Sequence, residues 1–285
     1  MLTLSQITAD LALRAAGGDR RAVEEIVRSL QRPLYHVALK MLLVPQDAED
    51  ATQEALIRIV THLAQYRAEA QFATWAWRIA VRRILDFRER NAPRHLPTTF
   101  ADFAAELADG RDADAGERAD DAILYRQLKT ACSRALLQCL DSDHRIAFIL
   151  GDLLELSSTD AAEILDIEPA ALRKRSSRAR AELSAFLSAQ CGVFDASAPC
   201  RCHRRADKAL QLGRIRRRPP NAPDDPRDDE TDALDLATLR SHVQAVGELK
   251  RVTAYYRSDA AGASRRDFVA TIRSMLSVFT LEEPS

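Results

Sequence analysis

Glycine is scarce in this chain of 285 residues, which has nine glycines beside eleven prolines and two tryptophans. No Walker loop and no glycine-rich dinucleotide fingerprint occurs, and no serine–histidine–acid set has supporting spacing, so the chain is not expected to be an enzyme. No apolar run approaches the ~20 residues needed to cross a bilayer, so no membrane insertion is expected. The opening MLTLSQITADLALRAAGGD lacks a basic stretch followed by a continuous apolar core, so no signal peptide is evident. Five unevenly spread cysteines fit a reducing cytoplasm better than a secreted disulfide scaffold. A net charge of −1 argues against a generally sticky polyanion-binding coat and directs attention to local patches.

Strand-like alternation is nearly absent while helical periodicity recurs, so the fold class is all-α. Asp19 to about Leu43 reads as two helices broken near Arg32-Pro33. Val23, Ile26, Val27 and Leu30 form the stripe of the first. Two further helices follow between Asp47 and Arg90, making a four-helix unit over 1–90. The first carries Asp47 as N-cap after Pro45, with Glu49 and Asp50 suited to the positive end of the helix dipole. Ala48, Ala51, Ala55, Leu56, Ile59, Val60 and Leu63 make its apolar stripe, and Asp47, Asp50 and Glu54, with Gln53 beside them, fall on another face. The second begins at about Phe72 and interleaves Phe72, Trp75 and Trp77 with Arg78, Arg82 and Arg83. Aromatic rings stack on unpaired bases and guanidinium groups meet phosphates. Taken singly, each helix also reads as an amphipathic core helix with a solvated charged face.

Residues 91–121 are acidic and contain both prolines and glycines, which reads as a flexible linker with room for a short helix at Phe100–Leu107. A second ordered unit spans 122–188. One helix carries Ile123, Leu124, Leu128 and Leu136, and another covers His144 to Leu154. Cys132 and Cys139 sit on one helix face and read as buried core cysteines, with a reactive pair as the alternative. LELSSTDAAEILDIEPAALRKRSSRARAELSAFL then has helix-turn-helix form. Ser157 or Ser158 caps its first helix, Asp166 sits at the turn, and Pro169 opens the next helix, where no amide donor is needed. That helix carries Arg173, Lys174, Arg175, Ser177, Arg178 and Arg180 around Leu172, Ala179 and Leu183, and its diameter fits the major groove of duplex DNA.

Three motifs of the N-terminal unit, DAED with Gln53-Glu54, Phe72-Ala-Thr-Trp75, and Trp77-Arg78-Ile-Ala, resemble region two of bacterial sigma factors of the extracytoplasmic-function class. LS, AAEIL and SRAR resemble region four of the same family. The resemblance covers about Asp19 to Leu187. It implies binding to core RNA polymerase and promoter DNA, by binding rather than catalysis, with no cofactor required. By it, Asp47, Asp50, Gln53 and Glu54 meet the polymerase. Phe72, Thr74, Trp75, Trp77, Arg78, Arg82 and Arg83 lie where the minus-ten element is opened. Arg173, Lys174, Arg175, Ser177, Arg178 and Arg180 lie where the minus-thirty-five element is read. The acidic linker matches the segment that follows the polymerase channel, and an anti-sigma protein is a further candidate partner. Asp166 stands where glycine is usual, Pro169 where a β-branched residue is common, Ser176 where an apolar residue packs, and Arg82 where asparagine is frequent. A stand-alone helix-turn-helix regulator is the second reading, although it needs neither the acidic helix nor the aromatic cluster.

The family's two-domain form ends near Leu187. In 189–230, Cys191, Cys200, Cys202 and His203 could serve as a tetrahedral zinc site, as redox-active thiols, or as neither. Arg214, Arg216, Arg217 and Arg218 precede a proline-rich linker and read as a solvated run or a nonspecific DNA contact. In 231–285, Leu234 to Tyr256 marks one long helix, and Ser264 with Asp267 resembles a capping box opening a second with Phe268, Ile272 and Met275. Such a hairpin is too small to bury its own apolar surface and is expected to dock on the preceding domains or on a partner and tune activity.

Overall fold

The structure, a computed structural model, describes residues 8–67, 71–91, 99–109, 116, 121–217, 236–259 and 264–279. Among them every regular element is helical, and the only bridge is a single parallel pairing of Cys191 with Cys200. Two compact units form. One gathers residues 1–92, 154–172 and 263–285, and the other residues 93–153 and 173–262.

The first unit is built on α1 (Ala9–Ala16), α2 (Arg20–Leu42), α3 (Pro45–Thr61) and α4 (Phe72–Arg90). Four helices were expected, but the structure reaches that number differently, because α2 is unbroken and α1 is additional. Asp19 caps α2 by accepting from the amides of Arg21 and Ala22. Pro33 sits inside α2, where a lost backbone bond and ring clash cost about 3 kcal/mol. Burying an aliphatic side chain returns about 1.5–3 kcal/mol, and the continuous stripe from Val23 to Leu42 buries Ile26, Val27, Leu34, Val37 and Met41 completely. The uninterrupted face outweighs the proline. Helix α3 starts at Pro45 after Val44, without a side-chain cap, so Asp47 lies in the first turn rather than at the cap. Here α2, α3 and α4 pack on one another, and α8 (Ser158–Leu165) packs on α4.

The turn after α8 follows the sequence closely. Ser157 accepts from the Asp160 amide at the N-terminus, and Asp166 takes the left-handed conformation at φ 56° and ψ 48°. Pro169 is the first residue of α9 (Pro169–Gln190).

The second unit holds α5 (Phe100–Ala108), α6 (Ala122–Gln138), α7 (Ser142–Phe148) with a π-helical turn at Ile149–Leu153, most of α9, α10 (Cys202–Gln211), α11 (Leu236–Ala245) and α12 (Glu248–Arg257). Helix α5 lies within the expected linker, and Phe103 and Leu107 carry it into the core. Ser176, at a position expected to be apolar, is buried and donates to the Ala147 carbonyl at 3.0 Å. A Cβ at Gly151 would stand 3.2 Å from its hydroxyl, so Gly151 leaves room for that bond.

The expected helix from Leu234 to Tyr256 is two, broken at Val246-Gly247 with Gly247 as the cap of α12. The expected hairpin does not form. α11 packs with α12 and α6, whereas α13 (Phe268–Phe279) packs on α2 within the first unit. Leu234, Arg218 and the proline-rich run lie outside the described residues. Tyr255 and Tyr256 of α12 are fully buried in one core with Phe148 and Phe194, meeting those rings edge-on at 6.1 Å (Tyr255–Phe194) and 5.5 Å (Tyr256–Phe148).

A buried ion pair fixes α12 to α6. The Lys129 ammonium donates to Asp259, Ser258 and the Tyr255 carbonyl, each at 2.6 Å, and Ser133 donates to the other Asp259 oxygen. The two charged side chains are 3% and 1% exposed. Removing either partner strands the other in a low-dielectric site, at about 3–5 kcal/mol. Lys129→Met and Asp259→Leu singly are expected to destabilise the second unit by that amount in chemical denaturation, and the double variant by clearly less than their sum. Additive losses would show that the pair is not coupled.

Candidate functional sites

Three groups of side chains sit where function was expected. The first is the acidic face of α3. Asp47, Glu49, Asp50, Gln53 and Glu54 are all partly exposed. Burial, with the Asp50 charge beside it, pushes the Asp47 carboxyl above its ordinary range. Glu54 receives Arg90 at 2.9 Å and has Arg83 at 3.7 Å, so one member of the set is neutralised by α4. Asp50 and Gln53 both accept from Arg266, at 2.7 and 2.8 Å, and Glu49 accepts from the Ser264 hydroxyl and the Arg265 amide.

The second group surrounds the start of α4. Phe72, Thr74 and Trp77 are 2%, 3% and 4% exposed, inside the packing of the first unit. Phe72 and Tyr66 meet edge to face at 5.1 Å, and both rings pack against Trp75, at 5.5 and 5.6 Å. That support holds the partly exposed Trp75 at the wall of an open groove of about 490 Å³, lined also by Arg58, His62, Gln65, Ile79, Arg82, Arg83 and Asp86. Arg58, His62, Gln65 and Tyr66 were missed by the sequence reading. The signal was there in Arg58 and His62, four residues apart at the end of α3. Arg82 is exposed, Arg83 is held between Glu54 and Asp86, and Arg78 donates through Nε and Nη2 to the Glu163 carbonyl of α8 at 3.1 and 2.8 Å. A cation suits the negative end of the α8 dipole, and it shares the Glu163 carbonyl with the Asp166 amide at 3.3 Å.

The third group lies along α9. Arg173, Lys174, Ser177 and Arg178 are exposed. Arg175 is paired with Asp143 at 2.8 Å. Arg180 reaches the buried Asp152 at 2.6 Å; burial raises that carboxyl and the Arg180 charge opposes the rise. Arg180 itself stays about one-third exposed.

The cysteines form a different arrangement from the one expected. Cys132 joins Cys191, Cys200 and Cys202 around an apolar cavity of about 30 Å³, and all five cysteines are free thiols. Gly192 is required there, since a Cβ would stand 2.6 Å from the Cys200 carbonyl oxygen. His203 turns its ring edge to Tyr125, with centroids 6.4 Å apart. Among the described residues no three His, Cys, Asp or Glu side chains are placed to hold a metal ion. Burial above all pushes the Cys132 thiol up to about 12 and Cys139 up to about 11, and holds Cys202 well above its ordinary value. Held neutral, these three thiols are poor nucleophiles. Among the described residues no helix is long and apolar enough to cross a membrane.

Residues 26–94 match the family Sigma-70 region 2, and residues 131–183 match Sigma-70, region 4. The ECF RNA polymerase sigma factor SigM of Mycobacterium tuberculosis is 31% identical over 181 residues, covering 63% of this chain and 84% of that protein. The ECF RNA polymerase sigma factor SigW of Bacillus subtilis is 27% identical over 167 residues, covering 58% and 89%. Among solved structures, that of CnrH in complex with the cytosolic domain of CnrY aligns with a TM-score of 0.46 at 25% identity, covering 63% of this chain and 96% of that one.

The pairing at Glu24 gives a measurable signature. Arg273 first, with Arg28 beside it, holds the Glu24 carboxyl at about 2. The depressed carboxylate contributes stability fully above its unfolded value near 4.5, and loses it as pH falls toward about 2. Carboxyl NMR of Glu24 is expected to titrate at about 2 and to move well upward in Arg273→Ala. An unmoved midpoint would show that Arg273 does not hold it.

Proposed function

This chain belongs to the extracytoplasmic-function class of sigma factors, which direct transcription initiation, and from that membership we propose which surfaces carry each step. The α3 face of Asp47, Asp50, Gln53 and Glu54 binds core RNA polymerase. The Trp75 groove receives an unpaired base of the minus-ten element, with Arg58 and Arg82 for phosphates. Arg173, Lys174, Ser177 and Arg178 meet the minus-thirty-five duplex.

The observation that supports the groove assignment is the partly exposed Trp75, braced by Tyr66 and Phe72 and flanked by arginines. Unstacking a base costs a few kcal/mol. Stacking on a fixed ring returns about 1–3 kcal/mol per base, and a ring already held by its neighbours loses little entropy in doing so. Phosphate contacts add a salt-dependent share. The chain's part is binding throughout. A stand-alone DNA-binding regulator leaves the region 2 match over residues 26–94 without a role.

Transcription of a genomic fragment library by core polymerase plus the full chain, with RNA 5′ ends sequenced, tests this reading. Start sites sharing an upstream motif are expected, absent with core alone. Trp75→Ala should lower their yield about 5- to 150-fold, the equivalent of the lost stacking. Lys174→Ala and Arg178→Ala should each weaken duplex binding and reduce its salt slope by about one. No motif with either the wild-type chain or Arg266→Ala would sink the assignment.

A further inference from the structure

The polymerase-binding face assigned above is already occupied. Ser264, Arg265 and Arg266 form a turn in which Ser264 accepts from the Arg266 amide at 3.0 Å, and this turn sits on α3. Arg266 donates to Asp50 and Gln53 through a single nitrogen, while Ser264 and the Arg265 amide both meet Glu49. Asp267 then accepts from the Ala270 amide, so it is the cap of α13, and Ser264 contacts Glu49 instead of closing a capping box. Helix α13 runs over α2 with Phe268, Val269 and Ile272 buried. One turn beyond Phe268, Arg273 grips Glu24 of α2 through two bonds of 2.7 and 2.8 Å.

The segment is thus anchored three times: by charge on α3, by apolar burial on α2, and by a bidentate pair on Glu24. Only the middle anchor is insensitive to salt; the outer two are partly exposed and screened. We propose that the C-terminal segment from Ser264 to Phe279 is a built-in competitor that covers the core-polymerase face of α3 and must leave before polymerase can bind. The inference rests on the reading of α3 given above. A chain that is uncovered for a fraction f of the time binds with its intrinsic dissociation constant divided by f. A segment docked nine-tenths to ninety-nine hundredths of the time would weaken apparent affinity by about 10- to 100-fold.

The test measures binding of core polymerase, free of other sigma factors, to the full chain and to Arg266→Glu/Arg273→Glu. Reversal sets glutamates against Asp50 and Glu24, and the variant is expected to bind at least about tenfold more tightly than wild type. Should the double variant not fold, judged by its circular dichroism melt, Arg266→Ala is read the same way with a smaller gain. Hydrogen exchange supplies a readout independent of affinity. The α13 amides are expected to be protected in the free protein and to lose that protection on binding polymerase. Equal affinity of wild type and variant, or α13 still protected in the complex, overturns this inference alone. Binding by neither protein overturns the polymerase reading and this inference with it.

Discussion

An amphipathic helix cannot leave its apolar stripe in water, and in this chain that constraint settles where each segment after residue 190 goes. α11, α12 and α13 carry apolar side chains beyond what a free hairpin could cover. α11 and α12 put Leu239, Val243, Val252, Tyr255 and Tyr256 into the core that also holds Phe148 and Leu183. α13 puts Phe268 and Ile272 on α2. Apolar burial supplies the affinity but is not directional. The placement is fixed by polar groups: Lys129 with Asp259 for α12, and Arg266 and Arg273 with Asp50 and Glu24 for α13. The core that includes α9 is completed by helices lying beyond the region 4 match, which ends at residue 183.

What could be read from the sequence divides along the same physical line. Periodicity and caps are local, so the all-α class, the presence of α3, the extent of α4, a serine cap at 157 or 158, the turn at Asp166 and the start at Pro169 were all legible. Pro33 was misread because a local rule forecasts a break, whereas a long apolar face on both sides keeps α2 whole. Among site residues, the spacing of Phe72, Trp75 and Trp77 showed an aromatic cluster. It could not show which ring faces out, since that depends on Tyr66 and the packing of α3. Arg180 has a partner that the local pattern does not show, because Asp152 lies 28 residues away. Cys132 was placed with Cys139 by helical spacing, yet it lines a cavity with Cys191, Cys200 and Cys202, which no sequence distance foretells.

The acidic face of α3 holds the chain's own tail through Arg266 and the Ser264–Arg265 turn. Carboxylates in the first turns of a helix are favoured by the dipole, which suits Asp47, Glu49 and Asp50 at the start of α3. Such a face attracts whatever guanidinium is delivered to it at high local concentration, and a tethered segment is delivered continually. The contacts made by Arg266 and Arg273 are half open to water, where solvent and salt screen them and each pair is weak. An arrangement of several weak, screened contacts around a small apolar anchor is tight enough to be populated and loose enough to be displaced. A buried pair such as Lys129 with Asp259 could not serve that purpose, because opening it would strand two charges in the core. The two tail anchors therefore differ in kind: α12 is held by a buried pair closed to water and α13 by half-exposed ones.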